Sequence, residues 1–378
     1  MKKSEELIMT RLITELGKIK DPRRQWGNLR HRLIDILVIT LLAIICGSEK
    51  WEDIEDFGKS KHWLKDYLEL PNGIPDEDTF RRVFEQIKPE ELEKSYREWV
   101  MPYIGGCLGK QINVDGKTVC GASSRDNEAG SNLHIVSAWV REDGITMGQM
   151  KVDGKSNEIT AIPKLLETLD ISGSVVSIDA MGCQWAIAQK IIGKSANYLL
   201  AVKMNQPTMF QEIEEYFRWA REDPIEKKQL AKYELPEKSH GRICTRRVTV
   251  TTDIQWFESK QDWPYLRTFV MAEGITKMKD KTTVEKRYYI SSLQAPAERF
   301  YTLVRGHWSI ENQLHWVLDT AFSEDDSLIR KNHAPENLSV VRKIALALLK
   351  KDSSRKASIR RKQKIAGWDD NYLKSLFT

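Results

Sequence analysis

The spacing of the apolar residues changes at about residue 111. Before this point they recur at helical intervals, as in the run from Leu33 to Ile44, which Gly47 would end. Beyond it they alternate, as at Ile112 and Val114. The pattern therefore predicts a helical N-terminal domain over residues 1–105, followed by an α/β domain. The short N-terminal helices carry Arg and Lys, which suits either DNA contact or a plain helical bundle.

The α/β domain, which we expect over residues 106–350, has a mixed order of elements. Three strand-like segments come first, with a turn at 142–144, and then helix, strand, helix, strand and helix follow. This order is typical of a mixed sheet flanked by helices. Residues 221–295 are strand-rich again, and a helix is predicted over 295–318. The last residues, 351–378, are predicted to form a basic tail.

The charge of the chain is only mildly basic. Its net charge is +5, so any DNA binding would have to come from local patches. The densest patch lies at 342–364, and smaller groups of arginines lie at 23–32 and at 81–82. A run of charge is also the ordinary pattern of a solvated face, so charge alone does not choose among these patches.

The cysteines and the apolar runs argue against several classes of protein. The five cysteines are scattered and no pair has C-x-x-C spacing, so neither a zinc ribbon nor a disulfide framework is predicted. The longest apolar run, 34–46, is too short to cross a bilayer, and the first residues lack a signal-peptide core. We therefore expect a cytoplasmic, bacterial-type protein with access to the chromosome and no membrane partner.

Two aspartates stand at or near the ends of predicted strands. Asp115 follows Val114 and precedes Gly116, and Asp179 ends the apolar run that begins at Ser174. Strand ends are where α/β folds place ligand sites, and neighbouring aspartates repel each other unless a divalent cation such as Mg²⁺ or Mn²⁺ binds between them. Either aspartate could instead be an ordinary turn or helix-capping residue.

A third carboxylate, Glu311, lies in the predicted helix over 295–318. His307, Glu311 and His315 are spaced four apart and would share one helix face. Two imidazoles beside a carboxylate could form a transition-metal site, although the order differs from the H-E-x-x-H of metalloproteases. The histidines could also contact phosphates or orient the carboxylate, or the face could simply be a polar surface.

Several motifs, in order along nearly the whole chain, resemble the insertion-sequence transposases of the H-repeat-associated type. In the N-terminal part they are Asp21–Arg24, Trp51–Phe57 and Gly73–Asp76. In the α/β part they are Val114–Lys117, Lys155–Pro163, Asp179–Gln184, Tyr198–Lys203, Asn205–Gln206, Lys238–Arg242, His307–Asn312, Leu314–Asp319 and Glu324–Asp326.

The resemblance implies a ribonuclease-H-like core with a β-rich insertion before the last acidic helix. It implies that Asp115, on the first strand, and Asp179, on the adjacent fourth strand, join Glu311 as the catalytic and metal-binding acids. It also implies a DNA transposase that uses two Mg²⁺ or Mn²⁺ ions for cleavage and strand transfer. Its partner would be double-stranded DNA, both element ends and target, bound by a homodimer.

The residues we expect to contact DNA are basic groups in or near these motifs. They are Lys117, Lys203, His240, Arg242, Arg305, His307 and His315. The sequence departs from the wider group at three positions. Cys244 stands where related chains commonly carry an acid, His307 where an arginine is expected, and Leu318 where a lysine is expected.

Three other functions are compatible with the same residues. A structure-selective nuclease on the same core would cut DNA without joining it. A catalytically silent DNA-binding relic would keep the fold without the chemistry, although all three acids are present here. A zinc protein built on His307, Glu311 and His315 is the most distant alternative.

Overall fold

The residues before 105 form helices, as their spacing predicts. The computed structural model describes residues 2–24, 29–122, 133–153, 157–239, 242–278 and 281–377. Asp76 caps the fourth helix by accepting a hydrogen bond of 2.7 Å from the Thr79 amide, and the fifth begins with Pro89 and ends at Gly105 in a left-handed conformation. The N-terminal helices are α1 (Lys2–Leu16), α2 (Leu33–Ile45), α3 (Trp51–Ser60), α4 (Glu77–Gln86) and α5 (Pro89–Ile104).

Among the described residues after α5, one sheet of nine strands forms the centre. Its order is β3-β2-β1-β4-β5-β9-β8-β7-β6. The strands are β1 (Gln111–Val119), β2 (Leu133–Val140), β3 (Ile145–Lys151), β4 (Val175–Ile178), β5 (Asn197–Val202), β6 (Ala231–Ser239), β7 (Arg242–Thr251), β8 (Thr268–Met278) and β9 (Lys281–Ser291).

The first five strands have the ribonuclease-H-like arrangement. Strands β1, β2 and β3 form an antiparallel meander, and β4 and β5 run parallel to β1. Because parallel neighbours need crossovers, helices connect them: α6 (Glu158–Thr168) precedes β4 and α7 (Trp185–Gly193) precedes β5. Helices α8 (Pro207–Glu222) and α9 (Glu226–Gln229) then lead into the insertion. The expected mixed α/β sheet flanked by helices is confirmed.

The strand-rich insertion continues the same sheet. Strand β9 pairs antiparallel with β5, beginning at Leu199 opposite Ser291, and β8, β7 and β6 follow outward. In the strand-rich stretch 221–295, the apolar runs over 246–252, 267–272 and 286–292 indicate strands that fall on β7, β8 and β9, and no such run falls on β6. Strand β6 is rich in charge and contains Pro236, which an edge strand tolerates because one of its sides needs no partner.

Different helices pack on the two faces of the sheet. Helix α10 (Ala297–His307) crosses one face, where its apolar side packs on β4, β5 and the insertion strands. Helices α6 and α7 pack on the opposite side with α5 and the long helix α12 (Ala334–Lys351). The remaining helices are α11 (Trp316–Phe322), α13 (Ile359–Trp368) and α14 (Asp370–Ser375). No helix within the described residues is both long and apolar enough to cross a membrane.

Residues 351–378, which we expected to form a basic tail, contain two helices. Helices α13 and α14 pack on the main core, where Leu373 and Phe377 are buried. The basic patch at 342–364 is also divided, because Arg342, Lys343 and Lys362 are each about 95% buried. The prediction considered only the charged residues of this segment. The apolar residues between them form helix faces that pack on the core, and some of the charged residues are buried with them.

Candidate active site

The pairing of β1 with β4 brings Asp115 and Asp179 together. The parallel register places Asn113 opposite Ser177 and Val114 opposite Ile178, and each aspartate is the next residue along. Strand β4 ends at Ile178, so the carboxylates lie where β1 continues without that neighbour. Asp179 also caps the turn after β4, since its carboxylate accepts a hydrogen bond of 3.0 Å from the Met181 amide.

A buried polar network fastens α10 against these two strands. The side-chain amide of Asn113 donates to the Gly306 carbonyl at 2.7 Å, and the side-chain amide of Gln111 donates to the Leu303 carbonyl at 2.8 Å. Between them, Ser177 donates to the Asn113 side-chain oxygen at 2.7 Å. Because side chains alternate along a strand, Gln111 and Asn113 face the same side as Asp115. The network therefore sets the distance from α10 to the aspartates.

Gly306 makes the close approach of this helix possible. A Cβ atom at this position would lie 2.2 Å from the Gln111 side-chain oxygen and 2.8 Å from the Arg141 side chain. Both contacts are shorter than van der Waals distance, so a larger residue would push α10 away from β1.

His307 is part of this network rather than of a metal cluster. Its Nδ1 lies 3.0 Å from the Ser177 hydroxyl oxygen, and because that hydroxyl donates to Asn113, the ring nitrogen must be the donor. Burial, followed by the charges of Arg287 and Lys203, lowers the pKa of His307 to about 4. A neutral ring that donates inward supplies no positive charge for a phosphate, so the expected DNA contact at His307, which stays a prediction, would involve an uncharged ring.

Glu311 lies where the predicted continuous helix is interrupted. Helix α10 ends at His307, and a π-helical turn over Glu311–His315 leads into α11. The Nδ1 atom of His315 lies 3.6 Å from Asp115 Oδ2 and 4.0 Å from Glu311 Oε2. The interruption turns His307 towards Ser177 and His315 towards Asp115, so the three-residue face proposed for zinc does not form. Turns of this kind are frequent at functional sites.

The acidic side chains raise one another's proton affinity. Burial, followed by the charges of Asp179, Glu158 and Glu311, raises the pKa of Asp115 to about 7. Burial and the charge of Glu158 also raise the pKa of Asp179, against the opposite effect of Lys203. The site therefore concentrates negative charge that the protein offsets only in part.

The donor set fits a divalent metal ion. Ligand atoms of Asp115, Glu311 and His315 all lie within 4.8 Å of one another, while Asp179 is outside this tightest group and approaches Asp115 from the end of β4. Burial lowers the pKa of His315 to about 3, so its ring is neutral and does not balance the carboxylates. Its Nε2 is buried and has no hydrogen-bond partner within the described residues. The carboxylate oxygens suit Mg²⁺ or Mn²⁺, whereas an imidazole nitrogen is more typical of the softer transition-metal ions.

An open pocket of about 530 Å³ lies over the three acids. Lys203, just after β5, and Lys286 and Arg287, on β9, line the same pocket. The Arg287 guanidinium lies 4.8 Å from the ring centre of Trp308, and that ring is 46% exposed. The pocket therefore has acidic residues at its base with cationic and aromatic groups beside them. Cationic groups suit the phosphates of a nucleic acid, and an exposed aromatic ring suits an unpaired base.

The other residues expected to bind DNA have varied surroundings. Lys117 is half-buried and pairs with Asp319 of α11 at 2.8 Å and with Asp325 beyond it at 2.7 Å, so it ties this segment to β1, and its expected DNA contact stays a prediction. Arg305 is exposed and lines a neighbouring pocket that shares Arg287 and Trp308 with the first. His240 lies outside the described residues, as does the Arg242 side chain.

Sequence reasoning assigned no role to Glu158, His134 or Ser177. Glu158 belonged to a motif of the resemblance, and Ser177 belonged to the strand run before Asp179. The signal that could have found Ser177 is a polar residue two positions before each aspartate, where the strand is otherwise mostly apolar. These residues are Asn113 and Ser177, and each faces the same side of its strand as the aspartate that follows. A polar residue on the face that a helix covers needs a partner, and α10 supplies it.

The chain is similar throughout to transposases. A family model described as a transposase DDE domain matches residues 110–348, and one described as DDE_Tnp_1-associated matches residues 13–100. The Escherichia coli K12 protein named "H repeat-associated putative transposase YhhI" is 38% identical over 97% of this chain and 98% of its own length.

Two further proteins illustrate the range of the similarity. "Putative transposase YncI" of Escherichia coli O157:H7 is 38% identical over 97% of this chain and 94% of its own length. Among solved structures, a piggyBac transposase in a synaptic complex with hairpin DNA aligns over 98% of this chain and 78% of that chain, with 12% identity and a TM-score of 0.46. The long family match and the full-length relatives identify the chain as a member of the DDE transposase family, of the H-repeat-associated type.

Proposed function

We propose that this transposase cleaves DNA at the ends of an insertion sequence and joins the freed ends to target DNA. Asp115, Asp179 and Glu311 would be its catalytic and metal-binding residues. The observation that carries the proposal is the convergence of these carboxylates on one open pocket, where the pKa of Asp115 is raised to about 7 by burial and by its acidic neighbours. Half-buried acids that repel one another need a cation to offset their charge.

Asp115, Asp179 and Glu311 would hold the two metal ions that we propose. When bound, Mg²⁺ or Mn²⁺ would supply activation of the attacking oxygen and stabilisation of the leaving oxygen of a phosphodiester. Asp115 has both other acids among the charges that raise its pKa, so it would share with each of them in holding the metal.

The contribution of the chain itself is positioning and charge. Paired strands hold Asp115 and Asp179, and the network through Asn113 and Ser177 fixes α10, which leads into the turn that carries Glu311. His315 borders two of the acids and is neutral, so it can orient them without adding charge. In-line phosphoryl transfer depends on this kind of preorganisation more than on covalent chemistry by the protein.

Double-stranded DNA would bind across the pocket, with its phosphates near the cationic rim. Lys203, Lys286 and Arg287 line the pocket, and Arg305 lies on the adjoining surface. Binding through such groups falls steeply as salt rises, because each phosphate contact releases counterions. Since transposition joins two ends of one element, we propose that at least two copies act together on DNA.

The test is a cleavage and joining assay on DNA that carries the flanking sequence of the gene. Wild-type protein and Asp179→Asn are compared with Mg²⁺ or Mn²⁺, on this DNA and on an unrelated duplex. We expect nicking and joining at the element boundary by wild type only. Cleavage without joining would indicate a structure-selective nuclease, and binding without any cleavage under either metal would indicate a catalytically silent relic.

A further inference from the structure

We propose that Glu158 is a fourth carboxylate ligand of the metal centre and that His134 positions it. The proposal deepens the proposed function and rests on it, because it concerns the same site. Glu158 is the first residue of α6, and His134 lies near the start of β2. Neither residue is part of the proposed site of Asp115, Asp179 and Glu311.

His134 is held at both ring nitrogens. Its Nε2 lies 2.7 Å from Glu158 Oε1, and its Nδ1 lies 2.8 Å from the Thr118 hydroxyl. Thr118 is on β1 directly opposite His134 in the antiparallel register. The imidazole therefore bridges β1 and the first residue of α6, and it holds one oxygen of the Glu158 carboxylate in place.

The pair lies directly over the residue that follows Asp115. A Cβ atom on Gly116 would stand 2.2 Å from Glu158 Oε1 and 2.6 Å from His134 Nε2. Only a glycine leaves room for this contact. Strand β4 ends at Ile178, so the edge of β1 is open beyond Val114, and Glu158 approaches the backbone of the residue next to Asp115.

The charge arrangement favours a metal ligand over an ordinary ion pair. Glu158 is the acidic group with the largest effect on Asp179, and it is among the groups that act on Asp115. A third carboxylate beside two half-buried ones adds repulsion that one histidine cannot offset. Glu311 and His315 form the tight group with Asp115, and Glu158, which is outside that group, comes first among the charges that raise the pKa of Asp179. We therefore expect Glu158 to complete the part of the site that Asp179 would hold.

The experiment counts bound Mn²⁺ on the purified full-length chain, without DNA. Free Mn²⁺ is measured by electron paramagnetic resonance during a titration, and thermal unfolding is followed with and without the metal. We expect Glu158→Gln to weaken one Mn²⁺ site about tenfold or more. The metal-free variant should unfold at the same temperature as wild type or higher, because repulsion is removed.

Matched variants separate a metal ligand from a structural residue. Glu167→Gln changes an exposed carboxylate of the same helix that pairs with Lys190, so it should leave Mn²⁺ binding unchanged. His134→Leu should weaken the same site, and His134→Gln, which keeps a donor, should restore part of the affinity. Glu158→Asp keeps the charge and shortens the reach, which serves as a second test should Glu158→Gln unfold.

The outcomes distinguish this inference from the proposed function. If wild type binds no Mn²⁺, the metal site itself is wrong and both proposals fall. If wild type binds Mn²⁺ and Glu158→Gln binds it equally well, only the role of Glu158 is overturned. A lowered unfolding temperature of metal-free Glu158→Gln with unchanged Mn²⁺ affinity would likewise show a purely structural pair.

Discussion

The Nδ1 atom of His315 lies 3.6 Å from Oδ2 of Asp115, so the π-helical turn after α10 is in direct contact with strand β1. The contact brings Glu311 to the aspartates, because Glu311 and His315 belong to the same turn. It does not neutralise the site, since burial holds the pKa of His315 at about 3. The excess of negative charge at Asp115 is therefore a built-in property of the metal-free protein.

Asp115→Asn should stabilise the metal-free protein at high pH. The pKa of Asp115 is raised from 3.8 to about 7 in the folded state, so folding favours its protonated form. This contribution is present at low pH and is lost as pH rises from about 4 to about 7, because the folded site must then carry the charge. We expect the variant to unfold about 4 °C or more above wild type at pH 8, with a smaller difference at pH 5.

Thermal unfolding in chelator measures this effect. Asp66→Asn, which removes one carboxylate at an exposed position of the N-terminal region and leaves the acidic site unchanged, is the control. An Asp115→Asn protein that is less stable than wild type at pH 8 would show that the charge is already balanced without metal.

Ser177→Ala should lower both stability and cleavage. The hydroxyl of Ser177 donates to Asn113 and accepts from Gln111 and His307, so its loss leaves buried partners unsatisfied. We expect a loss of about 1–3 kcal/mol in the free energy of unfolding, measured by urea denaturation.

Ser174→Ala is the matched control for this prediction. Ser174 is equally buried, but its hydroxyl has no hydrogen-bond partner in the part of the chain that is described. Its replacement should be close to neutral. Equal losses for the two variants would mean that the network does not hold α10 in place.

Lys203→Ala should weaken DNA binding, whereas Lys117→Ala should lower stability. Lys203 is exposed at the pocket, so its loss should weaken DNA binding and reduce the salt dependence by about one phosphate contact, with no change in stability. Lys117 pairs with Asp319 and Asp325, so its loss should cost up to about 3 kcal/mol in stability. Fluorescence anisotropy across a salt series and urea denaturation measure the two effects, and a stable Lys117→Ala that binds DNA more weakly would reverse this assignment.

Gly116→Ala should disturb the metal site without unfolding the protein. The added Cβ meets the ends of the Glu158 and His134 side chains, which can move aside at small cost. We expect Mn²⁺ affinity to fall as it does in Glu158→Gln, with nearly unchanged thermal unfolding. Wild-type Mn²⁺ affinity in Gly116→Ala would show that the position of Glu158 over Gly116 is unimportant.

The strands and the two aspartates could be predicted because they depend on local pattern. Alternation of apolar residues marked β1, and an apolar run ending on a carboxylate marked β4 and Asp179. The adjacency of the two strands came from the resemblance, and the register agrees with it. Strand β6 escaped prediction because an edge strand keeps its charged residues and even Pro236.

The details of the site depend on tertiary contacts that local pattern does not contain. A four-residue spacing predicted one face for His307, Glu311 and His315, but the interruption after α10 turns the first away from the others. Lys117 appears in sequence as a free cation, and only the fold reveals Asp319 and Asp325 beside it. Contacts between residues far apart in sequence decided each of these outcomes.

The most direct test of the central claim is cleavage of element-end DNA by Glu311→Gln. Glu311 is the acid brought to the site by the π-helical turn, and the substitution removes its charge with little change in size. Glu215→Gln, at an exposed position of α8, is the control. The account predicts that nicking and joining with Mg²⁺ or Mn²⁺ are lost in Glu311→Gln and retained in Glu215→Gln, with DNA binding preserved in both. Wild-type cleavage by Glu311→Gln would contradict the three-acid site.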